Sequence, residues 1–97
     1  MTDIEDKFRI QIFEYIRDYL REHEQLSPTY REIADGCFMA TSTIAQHLAH
    51  LEAREWIIRE YKIPRSIRLG KHAPGDKQLE RLKAAMQKKE AEATSKK

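Results

Sequence analysis

Residues 41 to 51 read TSTIAQHLAHL, and Ser42, Thr43 and Gln46 within them carry the groups best suited to chemistry outside a fold. If the stretch is helical, Ile44, Leu48 and Leu51 fall in one narrow stripe that must face a core. Ser42, Gln46, Ala49 and Ala53 fall opposite it, with Thr43 and His50 beside them, so the outward face is polar, uncharged and sterically low. A merely solvated helix face would usually carry Lys and Glu. A helix that enters the DNA major groove needs short hydrogen-bonding groups near its N-terminus and small residues where its backbone meets the duplex. Gln can bond an adenine edge in two places, while Ser and Thr serve more general contacts. The local alternative is that these hydroxyls are caps: Thr41 or Ser42 is placed to be the N-cap of a helix reaching about Arg54.

The surrounding sequence supplies elements that could hold such a helix. From Ile4 to Leu20 the residues Phe8, Ile12, Ile16 and Leu20 fall four apart, with Ile4, Phe13 and Tyr19 widening the same side, which predicts an amphipathic first helix. In SPTYREIADG, Thr29 is followed three residues later by Glu32, a capping box in which hydroxyl and carboxylate satisfy free backbone N–H groups. It opens a short second helix for which Gly36 is a natural stop. The turn GCFMA leads into the third helix, at 42 to 54, making a helix-turn-helix. After it, WIIREYKIPRSIRL changes period, with β-branched and aromatic residues clustered and Pro64 interrupting them. This predicts strands at roughly 56 to 61 and 66 to 69, joined by a turn at 62 to 65.

The expected fold is therefore mainly α with a small β hairpin: a winged helix-turn-helix of three helices and a two-stranded wing, with an additional C-terminal helix. Residues 1 to 70 form the winged helix, 71 to 75 a Gly- and Pro-marked linker, and 76 to 97 a basic helix with a frayed tail. Leu79, Leu82 and Met86 share one side of that last helix. They could pair two copies in a homodimer or pack back on the domain, and the helix could also lie as a basic tail near DNA. They span fewer than the ~3 heptads that mark a coiled coil. Lys62 and Arg65 stand at the expected hairpin tip, where cations would meet phosphates.

With 97 residues there is room for one small core and little for a deep catalytic pocket. The net charge is +2, but residues 1 to 70 hold ten Lys/Arg against twelve Asp/Glu, and residues 71 to 97 hold eight against four. Such a balance neither demands nor excludes a polyanion partner. Cys37 is the single cysteine and the N-terminal MTDIEDKFRI is acidic with no apolar signal core, so a reducing, cytoplasmic setting without membrane insertion is expected.

Other reactive residues have simpler readings. His47 and His50 lie three apart with Cys37 upstream, but no acidic or sulfur ligand is spaced to complete a tetrahedral metal site. Cys37 is flanked by Phe38, which suits a buried small hydrophobe better than a redox sensor. Trp56 sits where an aromatic would close the core beneath the wing, with stacking on a nucleobase as the alternative. There is no nucleophile–base pair, carboxylate dyad or glycine-rich phosphate loop at a useful spacing, so neither an enzyme, nor a cofactor, nor a small-molecule substrate is expected.

In order and spacing, PTYREIADG, STIAQHLAHLEAREWIIRE and IPRSIRL resemble the N-terminal DNA-binding domain of LexA-type repressors, over about residues 4 to 70. The resemblance implies a sequence-specific regulator of transcription, a repressor, with double-stranded DNA as its partner. It places Ser42, Thr43 and Gln46 on the base-reading side of the recognition helix, and Arg31, Thr41, Lys62 and Arg65 near the DNA backbone; His50, beside the outward face, is expected at the backbone as well. Departures are visible: the turn between helices two and three is one residue shorter than the family pattern, GCF replaces an apolar-Gly-apolar turn, and Glu55 stands where the family often has Gly. The residues after 70 make a basic helix in place of the family's self-cleaving, dimerising peptidase domain, so self-cleavage is not expected. A second reading is a winged helix used as a protein-interaction module, kept open by the acidic excess of residues 1 to 70, with Asp3, Glu5 and Asp6 at the start.

Overall fold

The spine of the molecule is a helix, α1 (Asp3–Glu22), whose inward side is almost wholly apolar. A computed structural model of the chain describes residues 3–60, 63 and 65–95, with side chains from Lys7 to Met86 within that range. Ile12, Phe13 and Ile16 are completely buried and Leu20 nearly so. Phe8, expected on the same stripe, is instead 37% exposed, and Ile10 is buried in its place. The helix ends where Glu24 and Gln25 turn left-handed and the Gln25 N–H donates back to the Leu20 carbonyl at 2.7 Å.

Two shorter helices lie against it. α2 (Tyr30–Cys37) opens on the expected capping box: Thr29 Oγ1 accepts from the Glu32 N–H at 3.1 Å, and Glu32 Oε1 accepts from the Thr29 N–H at 2.8 Å. Gly36 does not stop this helix. It lies inside the last turn, where a Cβ would collide with the Tyr15 ring of α1, and the left-handed closing residue is Phe38. α3 (Thr41–Ala53) buries Ile44, Leu48 and Leu51 completely, as their spacing requires. Complete burial of such a side chain is worth about 1.5–3 kcal/mol, so this stripe anchors α3 firmly.

The wing is shorter than expected. Its strands are β1 (Ile57–Ile58) and β2 (Arg68–Leu69), antiparallel, with Ile57 opposite Leu69 and Ile58 opposite Arg68. The ladder stops because side chains take over its next positions. Ser66 Oγ accepts from the Glu60 N–H at 3.0 Å and donates to the Glu60 carbonyl at 2.9 Å, while the Ile67 N–H turns away to Ser27 Oγ at 3.1 Å. At the base, the Gly70 N–H donates to the Trp56 carbonyl at 2.8 Å, and Gly70 packs so tightly against the Glu55 carbonyl that no Cβ would fit. Glu55 keeps a left-handed backbone, φ 63°, despite its side chain. Trp56 packs edge-on to Phe13 at 5.4 Å between ring centroids, closing the core beneath the wing.

The last helix, α4 (Asp76–Ser95), packs against α1. Leu79 is buried, and Leu82 and Met86 are partly buried against the same core. Ion pairs flank this seam: Asp76 Oδ1 accepts from Arg17 Nη1 at 3.2 Å and Arg21 Nη2 at 3.1 Å, and Lys83 Nζ donates to Glu14 Oε2 at 2.7 Å. Thus the apolar side of the last helix is used within one chain. Among the described residues no helix is long and apolar enough to cross a membrane.

Because Leu79 fills the core of a single chain, Leu79→Ala is expected to cost about 2–5 kcal/mol in urea unfolding. The wild-type midpoint is expected to stay fixed as protein concentration is varied; a midpoint rising with concentration would mean instead that this seam is shared between two copies.

Candidate nucleic-acid interface

α3 begins one residue before the first hydroxyl could cap it. Its N-cap is Ala40, which offers no side-chain acceptor, and Thr41, Ser42 and Thr43 form the first turn itself. The first helical bond runs from the Ile44 N–H to the Ala40 carbonyl at 3.0 Å, so the preceding N–H groups have no helical acceptor. No acidic residue stands in this turn. The positive end of the helix dipole is therefore given neither a cap nor an acidic residue by its own first turn, in contrast to α2, where Thr29 and Glu32 close the N-terminus from within.

The hydroxyls of Thr41, Ser42 and Thr43 and the Gln46 amide make no hydrogen bond among the described residues. Thr41, Ser42, Gln46, Ala49, His50 and Ala53 are exposed, and Thr43 and Ala45 are half-buried. Of the two histidines of α3, only His50 faces outward. His47 is buried on the opposite side, where Arg9 Nε donates to its Nδ1 at 3.3 Å and the Phe8 ring lies 6.4 Å away. Cys37 is also buried, which pushes its thiol pKa up and favours the unreactive thiol.

Cations around this face divide into exposed and engaged groups. Arg31 is exposed at the second position of α2. Arg65 stands beyond β1 with a left-handed backbone, exposed, its guanidinium directed at the start of α2. Its Nη1 donates to the Ser27 carbonyl at 3.1 Å, to Glu32 Oε1 at 3.1 Å and to the Tyr19 hydroxyl at 3.5 Å, and Nη2 donates to Glu32 Oε2 at 3.4 Å. Arg65 thereby fastens the wing turn to the start of α2. Lys62 lies outside the described residues.

Sequence reading passed over a third arginine. Arg59, just after β1, donates from Nη2 to Glu52 Oε1 of α3 at 2.9 Å and from Nη1 to the Tyr30 hydroxyl of α2 at 2.6 Å. It braces the wing against both helices of the helix-turn-helix. Nothing in REY or LEAREW marks this role, because the partners meet only once the chain has folded.

Compared with known families, residues 6–66 match the LexA DNA binding domain, well over half of the chain. Among curated proteins, none matches it.

One electrostatic consequence of the site is measurable. Glu32 is held below its ordinary value of 4.5, chiefly by the Thr29 N–H and further by Arg65 and Tyr19, against an opposing effect of burial. Because its folded pKa is depressed, the carboxylate's contribution to stability is present above pH 4.5 and is lost as pH falls below it, through the folded pKa. Glu32→Gln, which can still cap α2, is expected to show a shallower loss of stability in that acid range than wild type. Equal acid slopes for the two proteins would show that Glu32 has no such role.

Proposed function

Because the chain belongs to the LexA DNA-binding domain family, we propose that it is a transcriptional regulator that reads double-stranded DNA sequence-specifically and represses by occupying a promoter. α3 enters the major groove, with Ser42, Thr43 and Gln46 at base edges. Arg31, Thr41 and His50 meet the DNA backbone, joined by Lys62 and the wing. The observation that carries this reading is that Ala40, and not a hydroxyl, begins α3, which leaves the polar groups of its first turn unused by the fold. Short donors and acceptors on an uncharged face suit base edges, and free N–H groups at a helix N-terminus suit a phosphate.

Arg65, exposed in the wing turn, also meets the DNA backbone, its guanidinium divided between Glu32 and a phosphate. The alternative of a protein-interaction module rested on acidic excess. Five of those carboxylates, Glu14, Glu32, Glu52, Glu55 and Glu60, each pair with a cation of the same chain.

A single winged helix buries only about 600–1,000 Å² of protein surface on DNA, so tight specific binding calls for two copies on two half-sites. With the apolar side of α4 occupied by α1, the DNA itself is the natural means of bringing those copies together.

Titration against a duplex selected from a random pool, and against mixed duplex, at several salt concentrations tests the reading. Gln46→Ala is expected to lose roughly 1–3 kcal/mol on the selected duplex and little on the mixture. Arg31→Ala is expected to weaken both alike and reduce the salt slope by about one. Equal losses for Gln46→Ala on both duplexes would remove it from base reading, and no binding at low salt would refute the DNA-binding function.

A further inference from the structure

Phe38 is the most exposed large apolar side chain among the described residues, at 92%, where the next reaches 54%. It also occupies a backbone conformation that disfavours it. Its φ of 58° and ψ of 48° place it in the left-handed region, which costs a residue with a Cβ about 1–2 kcal/mol relative to ordinary conformations and suits glycine. Closure of α2 does not need the ring. That closure is made by backbone N–H groups, from Phe38 and from Met39, both to the Ala34 carbonyl, the second at 3.0 Å. Glycine would form the same bonds without strain. Neither packing nor backbone geometry accounts for an aromatic ring at this position.

Its location suggests what does. Phe38 lies two residues before the N-cap of α3, and Ala40, Thr41 and Ser42 after it are all exposed, with only Met39 turned half inward. A mostly exposed run of chain thus leads from Phe38 directly into the unused polar first turn of α3. We propose that Phe38 is a DNA-contacting residue, whose ring meets an apolar group of the duplex at the edge of the groove that α3 enters: a thymine methyl or an adjoining deoxyribose. The proposal rests on the DNA-binding function above. Apolar contact with a thymine methyl is one of the ways a major-groove edge is read. Being uncharged, the ring displaces no counterion, so its contribution adds affinity without changing the dependence on salt.

The test compares wild type with Phe38→Gly and Phe38→Asn, two residues that tolerate left-handed backbone. All three are titrated by fluorescence anisotropy against a duplex selected by wild type, and against the same duplex with single thymines replaced by deoxyuridine. Both variants are expected to retain wild-type stability or exceed it in urea, to bind roughly five- to fiftyfold more weakly, and to keep the same salt slope. If the partner is a thymine methyl, one deoxyuridine position weakens wild type and leaves the variants unchanged. If it is deoxyribose, no such position exists and the variants remain weaker throughout. Variants that bind as tightly as wild type would overturn the proposal, and so would variants that unfold more readily, because the ring would then be serving the fold. If wild type binds no duplex even at low salt, the failure lies with the DNA-binding function and the proposal falls with it.

Discussion

Packing of α3 on α1 is the interaction on which the rest of the molecule depends. Ile44, Leu48 and Leu51 share one core with Ile12, Phe13 and Ile16, all without exposed surface. A face that reads another polymer must hold its donors to within about half an ångström, and in a domain this small only a buried stripe on the same helix can do so. The wing hangs from the same core through Trp56, edge-on to Phe13, and through Ile57 and Ile67. The buried stripe and the polar face proposed to read DNA are thus two sides of one helix.

Charge is distributed to the same end. Arginines that could have offered free cations are spent on position, Arg59 between Glu52 and Tyr30, and Arg65 on Glu32 and the Ser27 carbonyl. What remains on the outward side of α3 is uncharged, with an open helix N-terminus. Exposed ion pairs contribute little to stability, so the value of Arg65 lies in fixing the wing turn more than in holding the fold together. The two helix starts show the same division, α2 closed by its own side chains and α3 left open.

Features legible in the sequence were those decided locally. The Thr29–Glu32 box and the Ile44, Leu48, Leu51 stripe follow from spacings of three and four residues, and both formed as expected. The misreadings came where a distant partner decides. Gly36 signals a helix stop by local rules, but its missing Cβ makes room for Tyr15 of α1, so the stop passes to Phe38. Strand lengths were overestimated because β-branched residues cannot reveal that Ser66 and Ser27 will take the ladder's hydrogen bonds. Arg65 does stand in the exposed turn between the strands, as expected, but its pairing with Glu32, 33 residues earlier in the chain, was not legible from local sequence. The start of α3 was ambiguous between Thr41 and Ser42 because both are good caps, whereas the chain uses Ala40 and frees them.

That freeing of the first turn is the central claim, and amide chemical-shift mapping of isotopically labelled protein on a selected DNA duplex tests it most directly. The largest shifts are expected at Thr41, Ser42, Thr43 and Gln46, with weaker ones at the start of α2 and in the wing. Shifts confined to α4, or none in the first turn of α3 at saturating DNA, would contradict it.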